Sequence, residues 1–272
     1  MGENKGHIRG RNRKDHGGRE IRQNRKTVLI TGATSGIGLA LAKEFARQGY
    51  RLVLAASKRE RLKRVAFQLE KSFPTCVIAV MEEDLSKSIG GIMLYAQVRK
   101  KNITVDILVN NAGFGMVGEE VSLPLARERE MIGVNILAVT ELTHLFLQDM
   151  CCRGEGKILN VASVGAFQPG PYTASYYATK AYVASYSRAL RAEAAKKGVQ
   201  VCVLCPGTTK TSFFEKTGSA VPFWAMSPKK VARSAFRGLE KNREVIIPGV
   251  PNRLMRWLPD SWKMWWIARV KR

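Results

Sequence analysis

Ser163, Tyr176 and Lys180 carry the clearest chemistry in the chain. The tyrosine and lysine stand one helical turn apart, and the serine lies thirteen residues before the tyrosine. This grouping can hand a proton to a carbonyl. Near the start, Thr31-Gly32-Ala33-Thr34-Ser35-Gly36-Ile37-Gly38 sets Gly32, Gly36 and Gly38 between an apolar run and a helix-forming run. Bare Cα atoms let the backbone approach a pyrophosphate, and a helix N-terminus adds free N–H groups and partial positive charge. The spacing is G-x-x-x-G-x-G rather than the commoner G-x-G-x-x-G, so its place between strand and helix carries the argument. A proton donor and a pyrophosphate site together point to hydride transfer.

These residues need a scaffold. From residue 27 onward, β-branched or apolar runs appear at 27–31, 51–55, 75–81, 106–110, 157–161, 199–204 and 245–247. Most are separated by stretches long enough for a helix. Such alternation predicts a doubly wound α/β sheet, mainly parallel and seven-stranded, with helices on both faces. Ser57, three residues before Glu60, has capping-box spacing, and Ser227 precedes Pro228, which suits a first helical position. Long helices are expected around 124–150 and 174–197. No repeat or linker divides the chain, which reads as one domain over 27–251 with a basic arm at 1–26 and an extension at 252–272.

The 272 residues can bury roughly three quarters of their unfolded surface. No run reaches the ~18 consecutive apolar residues of a spanning helix, and no signal-peptide pattern opens the chain, so the expected location is cytoplasmic. Five cysteines without framework spacing fit a reducing compartment. Cys202 and Cys205 match C-x-x-C formally, but they fall in a predicted strand rather than at a helix start, which argues against redox work. With three histidines, two of them in the polar arm, no metal site is expected.

Net charge is +23, and the arm holds nine Lys/Arg against three acids, so it is expected to be disordered. Residues 252–272 hold four Trp and six Lys/Arg against one acid. That composition suits packing on the body or a second subunit, a membrane surface, or single-stranded nucleic acid. Nucleic acid is the weakest of these, because no recognition motif appears.

Beyond the glycine turn, the chain contains Asp84-Leu85, Asn110-Asn111-Ala112-Gly113, Asn135, Ser163, Tyr176-x-x-x-Lys180 and Pro206-Gly207. In order and approximate spacing it resembles the short-chain dehydrogenases/reductases over about residues 27–250. The resemblance implies a Rossmann-like fold and assigns four catalytic residues. Tyr176 would be the general acid in carbonyl reduction and the base in alcohol oxidation. A phenol ionises near pH ~10, and the charge of Lys180 on the same helix face would favour its phenolate. Lys180 would also bond the nicotinamide ribose. Ser163 would donate to the substrate oxygen, and the Asn135 backbone would hold a water linked to the lysine. Only Tyr176 of the neighbouring tyrosines has a lysine four residues on, so Tyr177 is assigned to packing.

The same resemblance assigns the dinucleotide. Gly32, Thr34, Ser35, Gly36, Ile37 and Gly38 would hold the pyrophosphate. Asp84 and Leu85 would contact the adenine, and Asn110, Ala112 and Gly113 the adenosine ribose side. Pro206, Gly207, Thr209 and Thr211 would position the carboxamide. The second strand ends in Ala55-Ala56-Ser57-Lys58-Arg59, with no acid until Glu60. Cations there suit a 2′-phosphate, which favours NADP(H), with NAD(H) as the alternative. Many NADP-dependent relatives carry Arg where this chain has Ser57, so Lys58 or Arg59 must substitute.

Residues 208–226 match the family's variable substrate loop. Phe114, Phe167, Phe213, Phe214 and Trp224, with Met116, Pro169 and Phe223, could line an apolar pocket under a mobile lid. The expected substrate is a hydrophobic carbonyl or alcohol, acyl-chain-like compounds included. The basic surface suits an acidic carrier. By resemblance, the assembly is a homodimer or homotetramer through helices containing 135–150 and 176–196. The competing class is a non-catalytic nucleotide-sensing or membrane-surface protein on the same fold, which would have no chemical need for all four catalytic residues.

Overall fold

Alternating inward and outward side chains make each strand apolar on both faces. Val28, Ile30, Leu52, Leu54, Ile107 and Val109 join one buried core, whereas Leu29, Val53 and Leu108 join the other. A strand buried on both sides needs helices above and below it, and a parallel sheet supplies them through its crossovers. The computed structural model describes residues 26–211, 222, 224–255 and 257–271. Seven parallel strands run in the order β3-β2-β1-β4-β5-β6-β7. They are β1 (Thr27–Thr31), β2 (Arg51–Ala56), β3 (Val77–Glu82), β4 (Ile107–Asn110), β5 (Gly156–Val161), β6 (Val199–Leu204) and β7 (Val245–Ile246). The order reverses between β1 and β4, and their C-terminal ends meet the glycine turn and the Asn111–Gly113 segment.

Helices α1 (Gly36–Arg47), α2 (Arg59–Ser72) and α7 (Pro228–Glu240) cover one face of the sheet. Helices α3 (Gly90–Lys100), α5 (Ala138–Arg153) and α6 (Ala174–Ala195) cover the other. A continuous helical rod runs from α4 (Leu125–Ile132) through a π-helical turn, Gly133–Leu137, into α5. By length and composition alone this rod could cross a membrane, but Leu142, Phe146 and Met150 pack it onto the sheet. Two short helices follow β7: α8 (Val250–Met255) and α9 (Asp260–Lys271).

Ser227 caps α7 as its spacing predicts, accepting from Lys230 N at 3.3 Å ahead of Pro228. Two local expectations fail. The third strand begins at Val77 rather than Thr75, because Thr75 holds φ at +61° and cannot extend a strand. Ser57 does not cap α2. Strand β2 runs on to Ala56, paired with Glu82, and Lys58 takes the capping position without a side-chain bond. The Glu82 carboxylate instead accepts from Arg59 N at 3.2 Å.

Candidate active site

Helix α6 brings Tyr176 and Lys180 onto one face, and the turn after β5 brings Ser163 to them. Ser163 opens the 3-10 turn Val164–Phe167, its Oγ accepting from Gly165 N at 3.1 Å, and it also hydrogen-bonds Tyr176. Lys180 is buried, its Nζ donating to Val161 O at 3.0 Å, and lies 5.8 Å from the centroid of the Tyr176 ring. Tyr177 packs edge-on to Tyr176, their ring centroids 6.0 Å apart, and a Cβ on Gly165 would meet its ring at 3.0 Å.

Burial sets the protonation states. It pushes the Tyr176 phenol up to about 12, with the Ser163 hydrogen bond opposing in part. It lowers the Lys180 ammonium to about 8, against the weaker influence of Cys205. Removing water disfavours whichever form is charged, so the two groups shift in opposite directions. At neutral pH the tyrosine is a neutral donor and the lysine a cation.

Asn135 lies in the π-helical turn, wholly buried. Its Nδ2 donates to Phe114 O at 2.9 Å and to Thr179 Oγ1 at 3.0 Å, while its Oδ1 accepts from Phe114 N at 3.2 Å. The side chain thus ties the segment after β4 to helix α6. A Cβ at Gly113 would lie 2.8 Å from Asn135 Oδ1 and 3.2 Å from Lys180 Nζ, so bare backbone there keeps the approach to both groups open. Spacing did not reveal Thr179 or the Phe114 backbone as partners.

The glycine turn is built for a close ligand. Gly32 and Gly36 adopt φ of +64° and +53°, and the half-buried Thr34 and Ile37 flank the latter. Ser35 makes no side-chain cap to α1, whose first N–H groups have no acceptors within the helix. An anion's oxygens can supply them. Gly38 is buried against Gly32 and Asn111. Asn111 locks the turn: its N and that of Ala112 both donate to Thr31 Oγ1 at 3.0 Å, and its Nδ2 donates to Thr31 O at 2.9 Å.

Other assigned residues have mixed placements. Asn110 is buried, its amide donating to Thr143 Oγ1 and Asn160 Oδ1, both at 2.9 Å, so its side chain serves the interior. Asp84 holds a local turn by accepting from Ser86 N and Oγ, which lowers its carboxyl pKa; Leu85 is buried behind it. Ser57, Lys58 and Arg59 are exposed at the head of α2, with Glu82 beside them.

Pro206 O accepts from Val164 N, and Thr209 Oγ1 donates to Gly207 O at 2.8 Å. A Cβ on Gly36 would meet the Thr211 methyl at 3.0 Å, so this segment leans over the glycine turn. The two ends of segment 208–226, the expected substrate loop, are joined: Met226 N donates to Thr208 O and Lys210 N to Met226 O. Phe114 stacks under Arg127 at 4.9 Å, Phe167 ends the 3-10 turn, and Trp224 is exposed. Phe213, Phe214 and Phe223 lie outside the described residues. Cys202 and Cys205 are buried, and burial pushes the Cys202 thiol up to about 11, the opposite of a reactive thiolate. Among the described residues no group of His, Cys, Asp or Glu could hold a metal ion.

Residues 26–221 match the family model described as short chain dehydrogenase. The chain is 32% identical to the Anopheles gambiae dehydrogenase/reductase SDR family protein 7-like, covering 86% of this chain and 78% of that protein. It is 31% identical to the Danio rerio very-long-chain 3-oxoacyl-CoA reductase-B, covering 87% and 75%. A short-chain dehydrogenase from Sphingobium yanoikuyae, solved in complex with NADPH, superposes with a TM-score of 0.78 at 30% identity, covering 90% and 93%. The chain belongs to the short-chain dehydrogenase/reductase family: an oxidoreductase on a Rossmann-like fold that works with a nicotinamide cofactor.

Proposed function

We propose that the protein is an NADP(H)-dependent reductase of hydrophobic carbonyl compounds, acyl-chain-like ones included. The observation that supports this most is the grouping of Ser163, Tyr176 and Lys180 beside Gly113. The nicotinamide, when bound, supplies the hydride. In reduction, the neutral Tyr176 phenol gives its proton to the carbonyl oxygen, and Ser163 donates a hydrogen bond to the same oxygen as charge develops there. The Lys180 cation stabilises the phenolate left behind, and Asn135 keeps the lysine's surroundings fixed. In oxidation the proton returns to Tyr176.

The first turn of α1 would hold the pyrophosphate, Lys58 and Arg59 a 2′-phosphate, Lys180 the nicotinamide ribose, and Thr209 and Thr211 the carboxamide. The chain's similarity to a 3-oxoacyl-CoA reductase supports an acyl-chain-like substrate. Arg127, stacked over Phe114, puts a cation where an acidic carrier could be steered. Tyr182 and Leu137, exposed on α6 and the π turn, give the rod and α6 an apolar face for a second copy. The proposed location is cytoplasmic, with peripheral contact at a membrane surface.

Parallel titration with NADPH and NADH, followed by nicotinamide fluorescence, tests the cofactor. A carbonyl screen with Tyr176→Phe tests the chemistry. Tighter NADPH binding is expected, with turnover lost by about 10²–10⁴-fold in the variant while NADPH binding persists. Binding of neither dinucleotide, or full turnover by Tyr176→Phe, would overturn the proposal.

A further inference from the structure

The C-terminal segment touches the site at two places. Asn252, on α8, packs its side chain against Gly207, where a Cβ would overlap it. Its Nδ2 also donates to Pro248 O at 2.7 Å and reaches Met226 Sδ at 3.5 Å, at the base of the substrate loop. Helix α9 makes the second attachment. Lys263 is only 4% exposed; it pairs with Asp260 at 2.6 Å and reaches Phe167 O at 3.5 Å, the end of the turn that begins with Ser163. Ile267, one turn on, is 8% exposed, so the Lys263–Ile267 face is the anchored one.

The outward side is different in kind. Trp257 is 83% exposed, Trp262 71% and Trp265 63%, and Leu254 and Leu258 are also exposed. Trp262, Trp265 and Arg269 follow i, i+3, i+7 spacing, and the Arg269 guanidinium lies 5.6 Å from the Trp265 ring. Indole rings edged by cations match the boundary between headgroups and acyl chains, where an apolar body and a polar rim are both satisfied. A chain of net charge +23 adds attraction to an anionic surface.

We propose that residues 250–255 and 257–271 form an interfacial strap that seats the mouth of the substrate site on an anionic lipid bilayer. Asn252 and Lys263 are the points through which that contact reaches the substrate loop and the Ser163 turn. An apolar carbonyl compound dissolved in the bilayer would then enter the site without crossing water.

Flotation of the full chain with phosphatidylcholine vesicles, with and without phosphatidylserine, tests the surface. Co-flotation with the mixed vesicles is expected, weakening with salt. Quenching of tryptophan fluorescence by brominated lipid supplies a readout on the unmutated protein. Changing Trp257, Trp262 and Trp265 together to Ala should cut flotation by about tenfold or more while leaving turnover of a water-soluble ketone unchanged. These arms need no catalysis, so they stand whatever becomes of the reductase proposal.

The coupling arm rests on that proposal. Mixed vesicles should lower KM several-fold for a bilayer-partitioned ketone and not for a water-soluble one, and Lys263→Met should float normally yet lose that drop. Absence of flotation and quenching at low salt would overturn the strap, as would undiminished flotation of the tryptophan variant. So would conversion of that variant from dimer to monomer, which would mean that a second copy covers the face. An unchanged vesicle effect in Lys263→Met would overturn the coupling.

Discussion

The Lys180 ammonium lies 5.8 Å from the centroid of the Tyr176 ring while donating to the carbonyl of Val161 at 3.0 Å. The lysine is thus tethered to the strand end that carries Ser163, and in the proposed mechanism it acts on the tyrosine through its field. With the phenol near 12 and the ammonium near 8, the lysine titrates first. In the reductive direction, kcat/KM should be flat below pH 8 and fall above it with an apparent pKa of about 8. Oxidation should gain with pH until the same group loses its charge. A reductive profile with no fall between pH 8 and 10 would remove Lys180 from the proton chemistry.

Burying that ammonium also costs stability. Its pKa is lowered from 10.5 to about 8, so the unfolded chain binds more protons between those values and stability rises with pH across that window. Below pH 8 the penalty is fully present. Lys180→Met should abolish turnover yet raise unfolding free energy at pH 7 by on the order of 1–3 kcal/mol, with the gain shrinking toward pH 10.5. Urea denaturation at several pH values checks it; a destabilised variant at pH 7 would contradict it.

Local signals were legible in the chain and distant ones were not. The seven strands and the glycine turn stand out because β-branched or apolar runs and backbone freedom are properties of neighbouring residues. Ser57 fails as a cap because the competing acceptor, Glu82, arrives from the next strand. Asn135 could be placed in a long helix, but its partners lie 21 and 44 residues away. Asn110 belongs to a motif that suggests a ligand, yet its amide is spent on Thr143 and Asn160. Asn252 and Lys263 sit in a segment whose composition announces a surface, and only the folded chain shows that they reach Gly207 and Phe167.

Glu82 gives the cofactor preference a handle. Its carboxylate sits at the head of α2 beside Lys58 and Arg59, where a 2′-phosphate would lie. Glu82→Gln removes a like charge and should tighten NADPH several-fold with little change for NADH. Arg59→Glu should do the reverse. Equal shifts for both dinucleotides would place the 2′-position elsewhere.

A buried polar chain joins the elements of the site. Asn110 donates to Thr143 and Asn160, Asn160 Nδ2 donates to Ser187 Oγ at 2.9 Å, and Ser187 donates to Val183 O at 2.7 Å. Asn160→Ala strands the Asn110 Nδ2 donor and the Ser187 Oγ acceptor and leaves a void, so it should cost about 2–4 kcal/mol. Thr140→Ala, which removes an exposed bond to Tyr182, should stay within about 0.5 kcal/mol. Paired urea midpoints decide; equal losses would mean the buried chain is no better than a surface bond.

The π-helical turn at Gly133–Leu137 makes the rod two α-helices out of phase by one residue, about 100° of rotation. Deleting a single residue there would mend the hydrogen-bond ladder and give a smoother helix. It would also swing α4 around the axis and carry Asn135 off Phe114 and Thr179. The centre of this protein depends on a helix that is one residue too long for its own regularity.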